Sequence, residues 1–152
     1  MQADSALNII HFNDVYNIEA NSDGEAGVVN FEAYLRQLKS QYPDSLVLFS
    51  GDLFSPSTLS RMFEGEQMIY PMNLLGVHAA TFGNHEFDFS ADQTEKLSEQ
   101  CEFYWLLGNI TYKNDPNRCL GDGLPYVVLE ANGKKVGVFG VVGDDFMGIL
   151  SG

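Results

Sequence analysis

Four short apolar runs, each cut off by an asparagine or an aspartate, constrain this 152-residue chain more than any other feature. Leu7 to Phe12 ends in Asn13-Asp14, Leu46 to Phe49 in Ser50-Gly51-Asp52, Val77 to Phe82 in Gly83-Asn84, and Phe103 to Leu107 in Gly108-Asn109. After the first run, Val28, Phe31, Leu35, Leu38 and Tyr42 step by three and four, the period of an amphipathic helix, and Pro43 stops it. Further helices are expected from about Thr58 to Glu64 and, beyond the break at Gly65, from about Glu66 to Leu75. Pro71 is tolerated there only near a first turn or at a kink. Ser90-Ala91-Asp92-Gln93 predicts a capping box opening a helix that runs to about Gln100. Strands alternating with helices imply an α/β fold, a mostly parallel sheet joined by right-handed crossovers. The chain then changes character. Thr111 to Leu124 reads as a loop rich in Asn, Asp and Gly. Tyr126 to Glu130 and Lys134 to Val141 read as strands joined in a C-terminal hairpin at Asn132-Gly133.

Ligands of such sheets collect beyond the C-terminal ends of the strands. Asp14, Asp52, Asn84 and Asn109 all fall at that edge, and the 38 residues from Asp14 to Asp52 and 32 from Asp52 to Asn84 each suit one βαβ unit. Gly83-Asn84-His85-Glu86-Phe87-Asp88 packs an amide, an imidazole and two carboxylates into one turn. Taken singly, Asn84 is a turn former, His85 a helix cap and Asp88 a helix-start charge. Together, behind a buried strand, they point to a site. Carboxylate, amide and imidazole donors suit hard or borderline divalent cations. Two such ions about 3.5–4 Å apart, bridged by one carboxylate, can clamp the attacking and leaving oxygens of a phosphoryl transfer. Asp52, on the middle of the first three strands, is the candidate bridge. His85 is placed to protonate a leaving oxygen or stabilise growing charge, and Asp88 to hold its tautomer.

Composition excludes several classes. Asp and Glu number 21 against 8 Lys and Arg, a net charge of −13, which argues against a nucleic-acid polymer or an anionic membrane as partner. Two cysteines, Cys101 and Cys119, make neither a disulfide framework nor a zinc finger. No apolar run approaches the length of a membrane span. Met1-Gln2-Ala3-Asp4 shows no signal peptide, as expected of a cytoplasmic chain or of a secreted one with its signal removed. Asn21-Ser22-Asp23-Gly24-Glu25 sits in a polar loop and has an incomplete calcium-loop pattern, so it carries no site.

Asn13-Asp14, Gly51-Asp52 and Gly83-Asn84-His85-Glu86 resemble the first three motifs of the calcineurin-like metallophosphoesterases. His11-Phe12-Asn13-Asp14 and Gly83-Asn84-His85-Glu86-Phe87-Asp88 are similar to that superfamily's 5′-nucleotidase branch, as are Asn109-Ile110 and the strand from Lys134 to Gly143. The resemblance covers most of the chain. It implies a partial four-layer αββα sandwich and a centre of two divalent ions drawn from Mn, Zn, Fe or Mg. It also implies hydrolysis of phosphate monoesters, 5′-nucleotides or nucleotide derivatives, by a metal-activated water. Carried over by that resemblance, Asp14 binds one metal, Asp52 bridges, Asn84 binds the second, and His85 with Asp88 forms the catalytic dyad.

Two departures qualify what the resemblance implies. The first motif usually reads Asp-x-His, whereas here it is Asp14-Val15-Tyr16; Tyr16 is a phenolate ligand, an aromatic wall, or the mark of a weakened first site. No histidine follows His85, so the histidines of later motifs are missing. The expectation is the N-terminal part of a catalytic domain, without later motifs or the nucleotide-binding C-terminal domain. Such a chain carries half its ligands and so one ion or none, with weak or no activity alone. It exposes apolar surface through which copies could associate. The alternative is a non-catalytic metal-binding or interaction module on the same scaffold. A dinucleotide-binding fold ranks third, since no glycine-rich turn follows the first strand and Gly137, Gly140 and Gly143 lie late in a strand. His11 and His78 are read as packed or supporting residues. Asn109-Ile110-Thr111 matches a glycosylation sequon, but a hydrogen-bonding role for Asn109 behind the ligands is preferred.

Overall fold

The four apolar runs pair into an all-parallel sheet in the computed structural model, which describes residues 6–22, 27–143 and 146. The strands β1 (Ile9–Phe12), β2 (Leu46–Phe49), β3 (Ala79–Thr81) and β4 (Tyr104–Leu106) lie side by side in chain order. Register sets Phe12 beside Phe49, Phe49 beside Ala80 and Ala80 beside Trp105, so this row shares one face. The connections carry α1 (Gly27–Gln41), the short α2 (Ser60–Phe63), α3 (Ile69–Leu75) and α4 (Ala91–Ser98). Strands laid in one direction by right-handed crossovers put every crossing helix on the same face. Leu35 of α1, Met72 and Leu75 of α3 and Leu97 of α4 meet Val47, Phe49, Phe82 and Trp105 there in one core.

Two antiparallel hairpins follow: β5 (Thr111–Tyr112) with β6 (Asp115–Cys119), and β7 (Val127–Ala131) with β8 (Lys134–Val138). The second turns at Asn132 and Gly133, both at positive φ (49° and 71°), as a two-residue hairpin turn of right-handed twist requires. Beyond β8 the chain runs beside the end of β4, where Gly108 N donates to Gly140 O at 2.8 Å. A Cβ at Gly140 would fall 2.5 Å from Leu106 O and 2.6 Å from Thr81 Oγ1, so only glycine allows this approach. The sheet face opposite the helices is partly covered. Leu46, Ala79 and Leu106 are buried, while Ile9 is 52 % exposed and Phe139, past β8, is 71 % exposed. Of the αββα sandwich, the described residues thus form a helix layer, one four-stranded sheet and two hairpins. Among them no helix is long and apolar enough to cross a membrane, and both cysteines are free thiols.

Several expectations need correction. The stretch Thr111 to Leu124 is not simply a loop: it holds the β5–β6 hairpin and a 3-10 turn at Leu120–Asp122. What orders it is polar. Arg118 forks onto Asp122 and reaches Glu95 of α4 at 2.8 Å, its guanidinium 4.7 Å above the Tyr112 ring. The helix expected from Thr58 narrows to Ser60–Phe63, because Ser57 and Ser60 bond each other reciprocally before it. The segment from Glu66 opens as a 3-10 turn and becomes α-helical at Ile69, which leaves Pro71 in the first turn of α3, where it is tolerated. The capping box is half formed. Ser90 Oγ accepts from Gln93 N at 3.1 Å, but the Gln93 amide reaches across to Glu64 O at 3.2 Å. Of the loop expected at 21–27, with its calcium-like pattern, residues 23–26 lie outside the described residues, as does the N-terminal tetrapeptide at 1–4.

His78, read as structural, precedes β3 and bonds the backbone of β2 on both sides: its N–H donates to Val47 O, and its Nδ1 accepts from Val47 N at 3.0 Å. Burial, with the charge of Lys39, lowers its pKa below 6.5. A depressed imidazole pKa means that the unfolded chain takes the proton first. The stability tied to this group is therefore present above pH 6.5 and lost as pH falls through the folded value. NMR titration is expected to place the His78 midpoint below 6.5; a midpoint at or above that value contradicts the neutral-acceptor role. In the core, Met72→Ala is expected to cost about 2–5 kcal/mol in denaturant unfolding with an unchanged slope, because Met72 is fully buried.

Candidate functional site

Parallel pairing brings the ends of β1, β2 and β3 together, and the backbone then leaves ladder geometry at the two aspartates. Asp14 (φ 57°) and Asp52 (φ 65°) both adopt left-handed conformations, which cost a non-glycine residue roughly 1–3 kcal/mol and concentrate at functional sites. The loops are laced to each other: Ser50 N donates to Phe12 O, Asp14 N to Gly51 O and Val15 N to Asp52 O, each at 3.1 Å. Gly51 and Gly83 then meet backbone to backbone. A Cβ on Gly51, itself at φ 88°, would lie 2.3 Å from Gly83 N, and one on Gly83 would lie 2.1 Å from Asp52 Oδ1.

Tyr16 joins the two carboxylates. Its hydroxyl donates to Asp14 Oδ1 at 2.5 Å and approaches Asp52 Oδ2 at 3.3 Å. Burial, the hydrogen bond to Asp14 and the two negative charges all push the phenol pKa up. Asn13 Nδ2 donates to the other Asp14 oxygen. Asp52 Oδ1 accepts from His85 N at 3.1 Å. The His85 ring stands edge-on to Tyr16, at 90° with centroids 5.9 Å apart, and its Nδ1 bonds Asp88 Oδ2 at 2.8 Å. Burial works against a charged imidazole there, but the hydrogen bond and charge of Asp88, helped by Asp52 and Glu86, outweigh it and raise the pKa above 6.5.

Of the residues expected from sequence, Asp14, Tyr16, Asp52, His85 and Asp88 therefore form one connected hydrogen-bonded and ring-contact set. Asn84 opens the 3-10 turn Asn84–Phe87 that also carries His85. Asn109 does not join them. Its amide pairs in both directions with the Val142 backbone, at 2.7 and 3.1 Å, and ties down the chain after β8. His11 shares a 2.6 Å hydrogen bond with Ser50 Oγ, beside the site and not within it. Among the described residues no group of three or more His, Cys, Asp or Glu side chains gathers to hold a metal; the available donors are carboxylate, amide and phenol oxygens. A cleft of about 310 Å³ opens beside them, walled by Asp14, Tyr16, Val28 and Phe31.

One residue of the Gly83–Asp88 cluster was given no role of its own from the sequence. Glu86 is 1 % exposed, and its carboxylate accepts from Asp52 N at 2.9 Å, Leu53 N at 2.5 Å and Gly83 N at 2.5 Å. Burial pushes its pKa up to about 7 against the pull of those three N–H groups. The sequence carried two signals: its place among the polar groups clustered after Gly83, and its position three residues after that glycine, the spacing at which a glutamate reaches back to a backbone N–H.

A family model for calcineurin-like phosphoesterases matches residues 7–147. Rat 5′-nucleotidase is 31% identical over 147 residues, an alignment that covers 88% of this chain and 26% of the rat protein. Among solved structures, a 5′-nucleotidase precursor from Thermus thermophilus superposes with a TM-score of 0.78 at 25% identity, covering 93% of this chain and 29% of that one. The NAD nucleotidase of Haemophilus influenzae gives 0.77 at 26% identity, covering 93% and 27%. The chain thus spans about a quarter of the length of these relatives.

The glycine contact yields a direct test. Gly83→Ala is expected to displace Asp52 and destabilise the fold by at least about 1–3 kcal/mol, visible as a fall in Tm and a shifted His85 amide resonance. Gly137→Ala, whose Cβ meets nothing within 4 Å, is the control and is expected to leave the His85 resonance in place.

Proposed function

The chain belongs to the calcineurin-like phosphoesterase family, and from that premise we propose that it supplies half of a dimetal site for hydrolysis of phosphate monoesters, 5′-nucleotides or nucleotide derivatives. One observation carries the reading. Two carboxylates from adjacent strands share the Tyr16 hydroxyl, and one of them is bonded to the backbone of a histidine whose ring is held by an aspartate. Relatives named 5′-nucleotidase support the nucleotide as substrate.

The donors fit a cation. Asp14 and Asp52 already converge on one oxygen atom, so a divalent ion finds two carboxylates within reach of one point. Asp14, Asp52 and Asn84 would hold the ions, Asp52 being shared because β2 lies between β1 and β3, with the Tyr16 oxygen as a further donor. An all-oxygen set suits Mn or Mg better than Zn. When bound, the ions supply Lewis-acid charge and lower the pKa of a coordinated water. Nδ1 of His85 is occupied by Asp88, so Nε2 is the nitrogen left to give a proton to the leaving oxygen. Asp88 keeps that tautomer and favours the charged ring. The donors present fill part of a two-ion site; the remaining ligands, and the groups that recognise a nucleoside, are proposed to come from elsewhere in the protein. A second reading, a metal-binding or interaction module without catalysis, is favoured by Tyr16, which bonds both carboxylates at the position where the first motif usually has a histidine.

Asp52→Asn in the full-length protein is expected to lose metal and phosphatase activity together, by more than the roughly 10–100-fold typical of a residue behind the ligands. The measurements are elemental analysis after dialysis against Mn or Zn, and turnover of a generic phosphate ester. Metal and turnover that both survive the substitution reject the bridging role. Metal bound by the parent without turnover favours the second reading.

A further inference from the structure

We propose that Glu86 is the positioning residue of this site: its carboxylate fastens the loop after β2 to the loop after β3, and so presents Asp52 to Asn84 and His85. What is positioned rests on the reading of the site given above; the fastening itself rests on geometry alone. A single oxygen, Oε2, accepts from Asp52 N in one loop and from Gly83 N in the other, while Oε1 accepts from Leu53 N. Asp52 is thereby held on every side. Its N–H goes to Glu86, its carbonyl accepts from Val15 N, and its carboxylate accepts from His85 N and Tyr16. Of these four anchors Glu86 and His85 both tie Asp52 to the loop after β3, and Glu86 does so through the backbone of Asp52 and Leu53 while also bonding Gly83 N.

Burial of a carboxylate is costly unless its oxygens are bonded, and an apolar side chain would fill the same volume without that cost. Glu86 is the one acidic or basic residue among the described buried residues. Its oxygens meet the N–H groups that Asp52 and Leu53 turn away from ladder pairing when Asp52 adopts its left-handed conformation. Thr94 Oγ1 donates to Glu86 O at 2.7 Å, so α4 fixes the backbone from which the carboxylate reaches. Glutamine cannot replace it, since one of its two terminal atoms is a donor and would face an N–H. Aspartate keeps both acceptors but is one methylene shorter.

The test compares Glu86→Gln and Glu86→Asp with the parent by amide hydrogen exchange in metal-free protein and by Mn²⁺ titration. With Glu86→Gln, exchange at His85, Gly83 and Asp52 is expected to rise about tenfold or more relative to Val47 in the sheet, and the Mn²⁺ dissociation constant to rise about 10–100-fold. Glu86→Asp is expected to recover part of both, and provides the comparison if Glu86→Gln does not fold. A uniform rise in exchange with lowered Tm and unchanged Mn²⁺ affinity means that Glu86 only packs, and overturns the proposal. If the parent binds no Mn²⁺, the metal reading fails, and the selective exchange at His85 still decides the positioning role.

Discussion

Gly51 and Gly83 touch backbone to backbone, and the geometry around the two aspartates follows from that contact. Neither position has room for a Cβ. Because the loops close to this distance, one buried carboxylate can span them, the Asp52 side chain can accept from the backbone of His85, and Tyr16 can reach two carboxylates with one hydroxyl. The strain in Asp14 and Asp52 is held by these same bonds. A site built from backbone bonds of this kind keeps its shape without depending on long, flexible side chains.

The sheet explains why the site lies where it does. Strands in chain order place β2 between β1 and β3, so the residue after β2 is flanked by the loops that carry Asp14 and Asn84. That topology also puts the helices on one face and leaves the other partly open, with Ile9, Phe139 and Val141 exposed. The fold's apolar surface is therefore asymmetric: one layer is finished by α1, α3 and α4, and the other is begun by the β7–β8 hairpin.

Periodicity and turn chemistry made most of this readable. The four parallel strands, α1, the Asn132-Gly133 hairpin and the N-cap at Ser90 each follow from local pattern, and Asp14, Asp52, His85 and Asp88 from their place after apolar runs. What escaped was set by contacts between distant segments. The β5–β6 hairpin has no apolar alternation; Arg118, Glu95 and Asp122 order it. Gln93 left its capping box because Glu64 O was within reach. Asn109, expected to hydrogen-bond behind the ligands, does hydrogen-bond, but its partner is the chain returning at Val142.

The amino-acid sequence by itself determined the α/β alternation, the strand-end motifs and the family that they mark, because these depend on spacing along one chain. Tertiary structure alone decided that the Tyr16 hydroxyl meets both Asp14 and Asp52, that the Asn109 amide bonds the chain at Val142, and that Glu86 joins the two loops. Each of these is a choice of partner among groups 36, 33 and 34 residues apart in the longest case. Such a choice is made by which backbones come close, and the closeness is fixed only when the sheet has folded.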